Sequence, residues 1–587
     1  MLKLLKNLNK RDYIYVFISA GLIVFQVWLE LKMPDYMSNI TQLVQTRGAS
    51  INDILREGSY MLLCAFGSLV SAFIVGYFTS TIAASFSYRT RGKLFRKVED
   101  ISTFDVKKFS PSSLITRTTN DITQIEFLIA MGLTLMIKAP ITAVWAVTKI
   151  LNKNIEWSIL TGVAVLVLLI TIGIIMMIVM PKFKIVQELM DKINMVMREN
   201  LSGIRVVRAF NAEKYQEDKF ENVNNALTNQ QVFNQKAFNF LSPVMYLVMY
   251  FLTLGIYFIG AILINEANMG DKIVLFGNMI VFSSYAMQVI MSFLMLAMIF
   301  MMLPRASVSA KRINEVLDTP ISVNEGNVTM NNSDIKGCVE FKNVSFKYPD
   351  ADEYVLEDIS FKVNKGETIA FIGSTGSGKS TLINLIPRFY DATSGEILIN
   401  GIDVRDYSFE YLNNIIGYVP QKATLFSGDI LSNVSFGKNI DGKPSNKKIA
   451  DALRVSQASE FVSKLEDGEK SHIAQRGTNI SGGQKQRLSI ARTIARNPEI
   501  YIFDDSFSAL DYKTDSTLRR ELREYTKDAT VMIVAQRIGT ILNADKIVVL
   551  DNGKCVGVGT HNELMKKCKV YKEIALSQVS KEELENV

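Results

Sequence analysis

Six apolar runs in the N-terminal half constrain this chain more than any other feature. They lie at about 13–33, 59–86, 127–150, 155–180, 238–264 and 273–303. A helix of about 20 apolar residues crosses a bilayer core, where lipid offers the backbone no hydrogen-bond partner. The runs predict a six-helix membrane domain over 1–318. Residues 319–337, rich in Asn, Ser and Gly, read as a linker. Residues 338–577 have the alternating pattern of an α/β domain, and 578–587 read as a polar tail. The first residues are basic, but no small-residue cleavage site follows, so the first run reads as an uncleaved span. The four cysteines, Cys64, Cys338, Cys555 and Cys568, form no metal spacing or disulfide framework. Three fall in the soluble half, which predicts a reducing compartment.

The net charge is +7, with the basic residues gathered beside apolar spans rather than in a nucleic-acid-binding stripe, so no nucleic-acid partner is expected. The segments 88–120 and 181–236 carry eight and nine Lys/Arg, and the other connections few. The positive-inside rule places those segments, the N-terminus and the soluble half in the cytoplasm. Trp28, Trp145 and Trp157 then fall near the outer interface. Both basic segments are poor in Gly and Pro, so spans two to five are expected to continue as long helices. A helix over 59–104 would measure about 70 Å. Turns near 107–111 and 210–213 would be its far tips and those of its neighbours. Lys138, just before Pro140, is an intramembrane charge that either faces a cavity or is paired structurally. On the last span Met287, Met291, Met295 and Met298 share one helical stripe, with Gln288 beside it. That stripe reads as helix packing or as an adaptable substrate surface.

The soluble half contains Gly373-Ser374-Thr375-Gly376-Ser377-Gly378-Lys379-Ser380-Thr381, a match to G-x-x-x-x-G-K-[ST] between an apolar strand and a helix start. Such a loop wraps phosphate with inward N–H groups, at a helix N-terminus that adds positive potential. Lys379 is expected on the β- and γ-phosphates of ATP and Ser380 on Mg²⁺. Tyr348, ahead of the loop, is a candidate to stack on a purine. Gln421 ends a strand where it can reach the metal and an attacking water. Ser481-Gly482-Gly483-Gln484 opens a helix, again a phosphate-holding arrangement. Asp504 ends the strand Ile500–Phe503 and fits the carboxylate that supports Mg²⁺.

Six spans followed by these motifs in this order resemble a half-transporter of the ABC exporter family, over essentially the whole chain. The resemblance implies a dimer of halves, each nucleotide held between one half's phosphate loop and the other's S-G-G-Q. It makes Tyr348 the adenine-stacking residue, Gln421 the Q-loop residue and Asp511 the D-loop residue. It makes the tips near 105–113 and 208–220 coupling helices. Two positions depart from the family pattern. Asp505 stands where the family has a catalytic Glu, and Gln536 where it has a switch His. Asp is one methylene short, and a displacement of about 1 Å can cost about 10²-fold. Gln brings no charge to the γ-phosphate. The expectation is a degenerate ATP site in one half of a bacterial heterodimeric multidrug exporter of the cell membrane. The partner half would carry the Glu and the His, and the cargo would be amphipathic. A homodimeric lipid flippase or peptide exporter and a nucleotide-gated channel are the alternatives. Gln475 replaces a frequent Glu before Arg476, with no effect assigned.

Overall fold

The structure, a computed structural model, describes residues 2–46, 50–151, 155–330, 335–437 and 442–578. The chain forms two compact units, Met1–Val98 with Ser110–Asp318, and Glu99–Phe109 with Thr319–Val587.

The first unit is helical. Among the described residues six helices are long and apolar enough to cross a membrane: Lys10–Gln45, Ile51–Asp100, Pro111–Leu151, Ile155–Ser202, Glu213–Glu266 and Asp271–Leu317. Ile51–Asp100 has 50 residues, about 75 Å of helix, far more than a bilayer core needs. The third is interrupted, with non-helical geometry at Thr119 and a π-helical turn at Leu128–Gly132. The long helices turn through the short segments Thr103–Lys107 and Ile204–Ala209. Phe73 and Met177 are more than three-quarters exposed, as lipid-facing residues are.

Polar groups knit the apolar helices together. Pro34 lies inside the first helix and has no N–H to give Glu30 O. Gln288 Nε2 faces that carbonyl at 3.5 Å. The Glu30 carboxylate accepts from Lys138 Nζ at 2.8 Å, Gln26 Nε2 at 2.9 Å and Ser68 Oγ at 3.2 Å. Lys138 is therefore a paired charge. A second pair joins Lys149 to Asp35 at 2.8 Å, and the Tyr285 hydroxyl donates to Asp35 at 2.7 Å. Trp157 is fully buried against Phe282, so its ring does not sit among headgroups. A Cβ on Gly260 would meet the Met279 sulfur at 2.5 Å. Met279 and Phe282 are packing residues, whereas Met291 and Met298 are exposed and Met287 and Met295 half-buried.

The second unit is built on twelve strands. These are β1 (Val339–Phe346), β2 (Leu356–Val363), β3 (Thr368–Gly373), β4 (Ser394–Ile399), β5 (Ile402–Asp403), β6 (Ile416–Val419), β7 (Gly428–Asp429), β8 (His472–Ile473), β9 (Ile500–Asp504), β10 (Thr530–Val534), β11 (Lys546–Asp551) and β12 (Lys554–Gly559). Ten form one sheet in the order β5-β4-β1-β2-β12-β11-β3-β10-β9-β6. The run β11-β3-β10-β9-β6 is parallel, and β9 and β10 are buried at every residue, as strands covered on both faces must be.

Residues expected to form a linker lie against this unit. Val328 bridges Tyr407, and a Cβ on Gly326 would sit 2.2 Å from the Asp406 carbonyl. Only a glycine lets the two backbones approach so closely. Of that segment, 331–334 fall outside the described residues, as does the expected tail beyond Gln578. Gln578 itself ends the helix Lys569–Gln578 and is not tail. The tip Glu99–Phe109 also belongs to this unit. Phe104 packs on the sheet's apolar cluster, and Asp105 accepts from Ser322 Oγ at 2.7 Å.

Candidate nucleotide site

Four parallel strands end at one edge of the sheet. Val534 pairs in register with both Phe371 and Asp504, so the carboxyl ends of β3, β9 and β10 are level. Gly373 closes β3, Asp504 closes β9, Gln421 follows β6 by two residues, and Gln536 follows β10 by two. Open parallel sheets bind ligands at this edge, outside the strand carboxyl ends.

The loop after β3 needs its glycines. Gly376 and Gly378 have φ of +87° and +95°, where a side chain is strained, and a Cβ on Gly373 would sit 2.1 Å from Leu550 O. Lys379 is nearly buried, and its ammonium donates to Gly373 O at 2.9 Å, Ser374 O at 2.7 Å and Ser377 Oγ at 3.3 Å. Burial pushes the Lys379 pKa below the ordinary lysine value, with Asp505 and Asp504 opposing. Ser374, Thr375, Ser380 and Thr381 complete the loop and line, with Gln421 and Gln536, a cavity of about 560 Å³.

Ser380 Oγ donates to Asp504 Oδ1 at 3.0 Å. The Tyr418 hydroxyl lies 3.0 Å from Asn384 Oδ1 and 3.4 Å from Asp504 Oδ2, one donor between two acceptors. Burial raises the Asp504 pKa, against the hydrogen bond from Ser380. Asp505, with φ of +46°, is a non-glycine residue in the left-handed region, and such strain clusters at functional sites. Its Oδ2 accepts from Gln536 Nε2 at 2.7 Å and from Gln421 Nε2 at 3.2 Å. The two positions expected to depart from the family pattern thus touch each other, and Gln421 joins them.

The ABC transporter transmembrane region model matches residues 15–303, and the ABC transporter model matches 356–508. An uncharacterized ABC transporter ATP-binding protein of Mycobacterium tuberculosis is 40% identical, over 92% of this chain and 93% of its own. The chain belongs to the ABC transporter family. It is an exporter-type half-transporter, with membrane and ATP-binding domains fused and an ATPase function coupled to transport. A Bacillus subtilis relative named, provisionally, for multidrug export is 32% identical over 85% of this chain and 84% of its own. An ATP-dependent lipid A-core flippase of Pseudomonas aeruginosa is 30% identical over 86% and 82%. A solved bacterial Atm1-family ABC exporter with ATP bound shares the fold, with a TM-score of 0.81 at 22% identity over 96% of this chain and 98% of that one.

Other expected site residues of this ABC half-transporter do not line the loop cavity. Ser481 and Gln484 close a reciprocal capping box on the helix Gly482–Arg496. Gly482 is open, with nothing within 4 Å of a Cβ, while a Cβ on Gly483 would meet Ala509 O at 3.3 Å. Asp511 caps the helix Tyr512–Tyr525 by accepting from Thr514 N. Tyr348 lies edge-on to Phe346 and Tyr390, with its hydroxyl 3.1 Å from Thr381 Oγ1.

The sequence did not point to Tyr418 or Gln578. Gln578 Nε2 donates to Gln536 O at 2.7 Å, and its Oε1 accepts from Ile538 N at 2.8 Å. It pins the loop that carries Gln536 and lines the same cavity. Nothing local marks a glutamine at the end of a C-terminal helix. An aromatic hydroxyl three residues before Gln421, on β6, was the one available signal for Tyr418.

Proposed function

We propose that this half-transporter exports amphipathic molecules, lipids included, as one half of a heterodimer whose two ATP sites are unequal. One observation carries the inequality: the Asp505 carboxylate is held between the amides of Gln421 and Gln536. A general base needs a free lone pair within reach of the water it deprotonates. Here two N–H groups on Oδ2 hold the carboxylate in place and stabilise its charged form, which weakens it as a base, and no positive charge comes from position 536.

The site fits Mg-ATP in other respects. The loop glycines leave the backbone bare for phosphate, and Ser380 and Asp504 lie together beside Gln421 to hold Mg²⁺. Bound Mg²⁺ neutralises phosphate charge. Lys379 would exchange its carbonyl partners for phosphate oxygens. Tyr348 would flank the base. Ser481, Gly482, Gly483 and Gln484, outside this cavity, would serve nucleotide on the partner half, with Asp511 beside them at the dimer interface. The ATP-binding unit and the N-terminus would face the cytoplasm, as the basic segments favour. The exposed Met291 and Met298, with Met287 and Met295, form a flexible apolar stripe suited to varied cargo.

The purified chain alone should hydrolyse ATP slowly, and Asp505→Glu with Gln536→His should raise that rate at least about tenfold. Fast turnover by the unaltered chain, abolished by Asp505→Asn, would refute the unequal-site reading. For the cargo surface, Met291→Ala with Met295→Ala should change which substrates stimulate ATPase while sparing the basal rate. A uniform fall in basal rate, transport and yield would mean packing.

A further inference from the structure

We infer that the N-terminal segment and the helix Ile51–Asp100 form a binding site for the headgroup of an anionic phospholipid. A cavity of about 820 Å³ lies between Lys6–Asn9 and residues 88–96, lined by Lys6, Arg89, Arg91, Lys93 and Arg96 and by no carboxylate. Two of these cations have acidic partners. Arg89 meets Asp12 at 2.8 Å and Arg91 meets Glu126 at 3.5 Å. Lys93 donates to the neutral Asn7 Oδ1 at 2.6 Å. Among the described residues, neither Lys6 nor Arg96 has a carboxylate within ion-pair distance. The cavity thus keeps a surplus of positive charge that the protein does not neutralise.

Its position says what supplies the missing charge. Both flanking helices become lipid-facing within about three turns of it, where Ile14, Phe17 and Tyr77 are exposed. Tyr88, Arg91, Gly92, Phe95 and Arg96 share one helix face, at spacings of three and four. Tyr88 and Phe95 are 80% and 63% exposed, and an amphipathic ring such as that of Tyr88 favours the headgroup level. Between them Gly92 leaves room, since a Cβ there would have only Arg96 Nη2 within 4 Å, at 4.0 Å. Leu4, almost fully buried, anchors the segment that presents Lys6. Cations set between exposed aromatic rings, immediately below the apolar zone, match a phosphodiester attached to acyl chains. A soluble anion would have no use for the rings.

The test is native mass spectrometry of the full chain, with its partner half where co-purified, titrated with phosphatidylglycerol in neutral detergent. The wild type should retain bound phosphatidylglycerol. Lys6→Gln with Arg96→Gln should weaken retention about thirtyfold, at roughly 1 kcal/mol for each cation near an anionic headgroup. Lys214→Gln, on an exposed turn elsewhere, should change nothing. Gly92→Leu keeps every charge and suits a helix, yet should also weaken binding by filling the cradle. It decides the matter if the double variant fails to fold. Wild-type retention in either cavity variant would overturn the site. Equal competition by glycerol phosphate would overturn the lipid in favour of a soluble phosphate.

Discussion

In the membrane unit Glu30 and Lys138 face each other at 2.8 Å, and Asp35 and Lys149 do the same. In the ATP-binding unit Asp504 and Asp505, both nearly buried, have no cation within ion-pair distance among the described residues, and Lys379 is turned to backbone carbonyls. The contrast separates two uses of buried charge. Among lipid-facing helices, apolar attraction does little to choose a partner, since lipid tails are as apolar as leucine. A matched ion pair, costly to leave unmade, fixes which helices meet. At the sheet edge the apolar core of the ATP-binding unit already fixes the fold. There the carboxylates can be left without a cation, because the fold does not depend on pairing them. These two membrane pairs are therefore structural and complete, whereas the carboxylates at the sheet edge lack a matching cation.

The largest expected effect breaks the first half of that contrast. Lys138→Ala leaves Glu30 with only an amide and a hydroxyl, and should cost about 3–5 kcal/mol of stability. Adding Glu30→Gln should restore much of the loss. Unfolding in lipid-containing micelles would check both, and equal loss in the single and double variants would mean that the pair does not fix the helices.

Next, Gly482→Asp places a carboxylate at the open helix terminus proposed to hold the partner's nucleotide. Steady-state ATPase of the assembled transporter should fall at least about 10²-fold, or roughly 3 kcal/mol in barrier. Unchanged turnover would mean that this S-G-G-Q serves no active site.

A smaller effect tests the uncompensated carboxylate. Burial raises the Asp504 pKa, so the fold favours its protonated form. That contribution is fully present below the ordinary Asp pKa of about 4 and is lost as pH rises through the raised value. Asp504→Asn escapes the loss. The variant should match the wild type in acid and exceed it near neutrality by on the order of 1 kcal/mol, while Mg-dependent ATP binding falls. Thermal unfolding across pH reads the first and nucleotide titration the second. A variant less stable than wild type at neutral pH would contradict the uncompensated reading.

The smallest change is expected from Asp505→Asn. If the carboxylate is already occupied by Gln421 and Gln536, its loss should alter ATPase of the assembled transporter by less than about threefold. A loss as large as that from Gly482→Asp would make the two ATP sites equivalent.

Much of this was legible in the chain because the signals are local. A run of apolar residues fixes a span, and G-x-x-x-x-G-K-[ST] after an apolar strand fixes a phosphate loop. The linker misled, since its polar composition hides a backbone pairing that depends on Gly326 meeting Asp406. Trp157 misled for a related reason. Its indole suits an interface by chemistry, but the packed helices bury it. Lys138 left two readings open, because its partner lies 108 residues away in the chain.

The sequence by itself determined six spans, an α/β domain with a glycine-rich loop between a strand and a helix, and the residues Asp505 and Gln536 at two positions where the family differs. The first two follow from periodicity and spacing within a few residues, where backbone geometry leaves few choices, whereas the reading of Asp505 and Gln536 as departures follows from the resemblance to the family. Only the tertiary structure decided that Asp505, Gln536 and Gln421 bond to one another, that Gln578 pins their loop, and that Lys138 belongs to Glu30. It alone brought Lys6 and Arg96 to the lining of one cavity. These residues come from separate strands, helices and termini. Hydrogen bonds and ion pairs act over about 3 Å, so who meets whom is known only once the elements are packed.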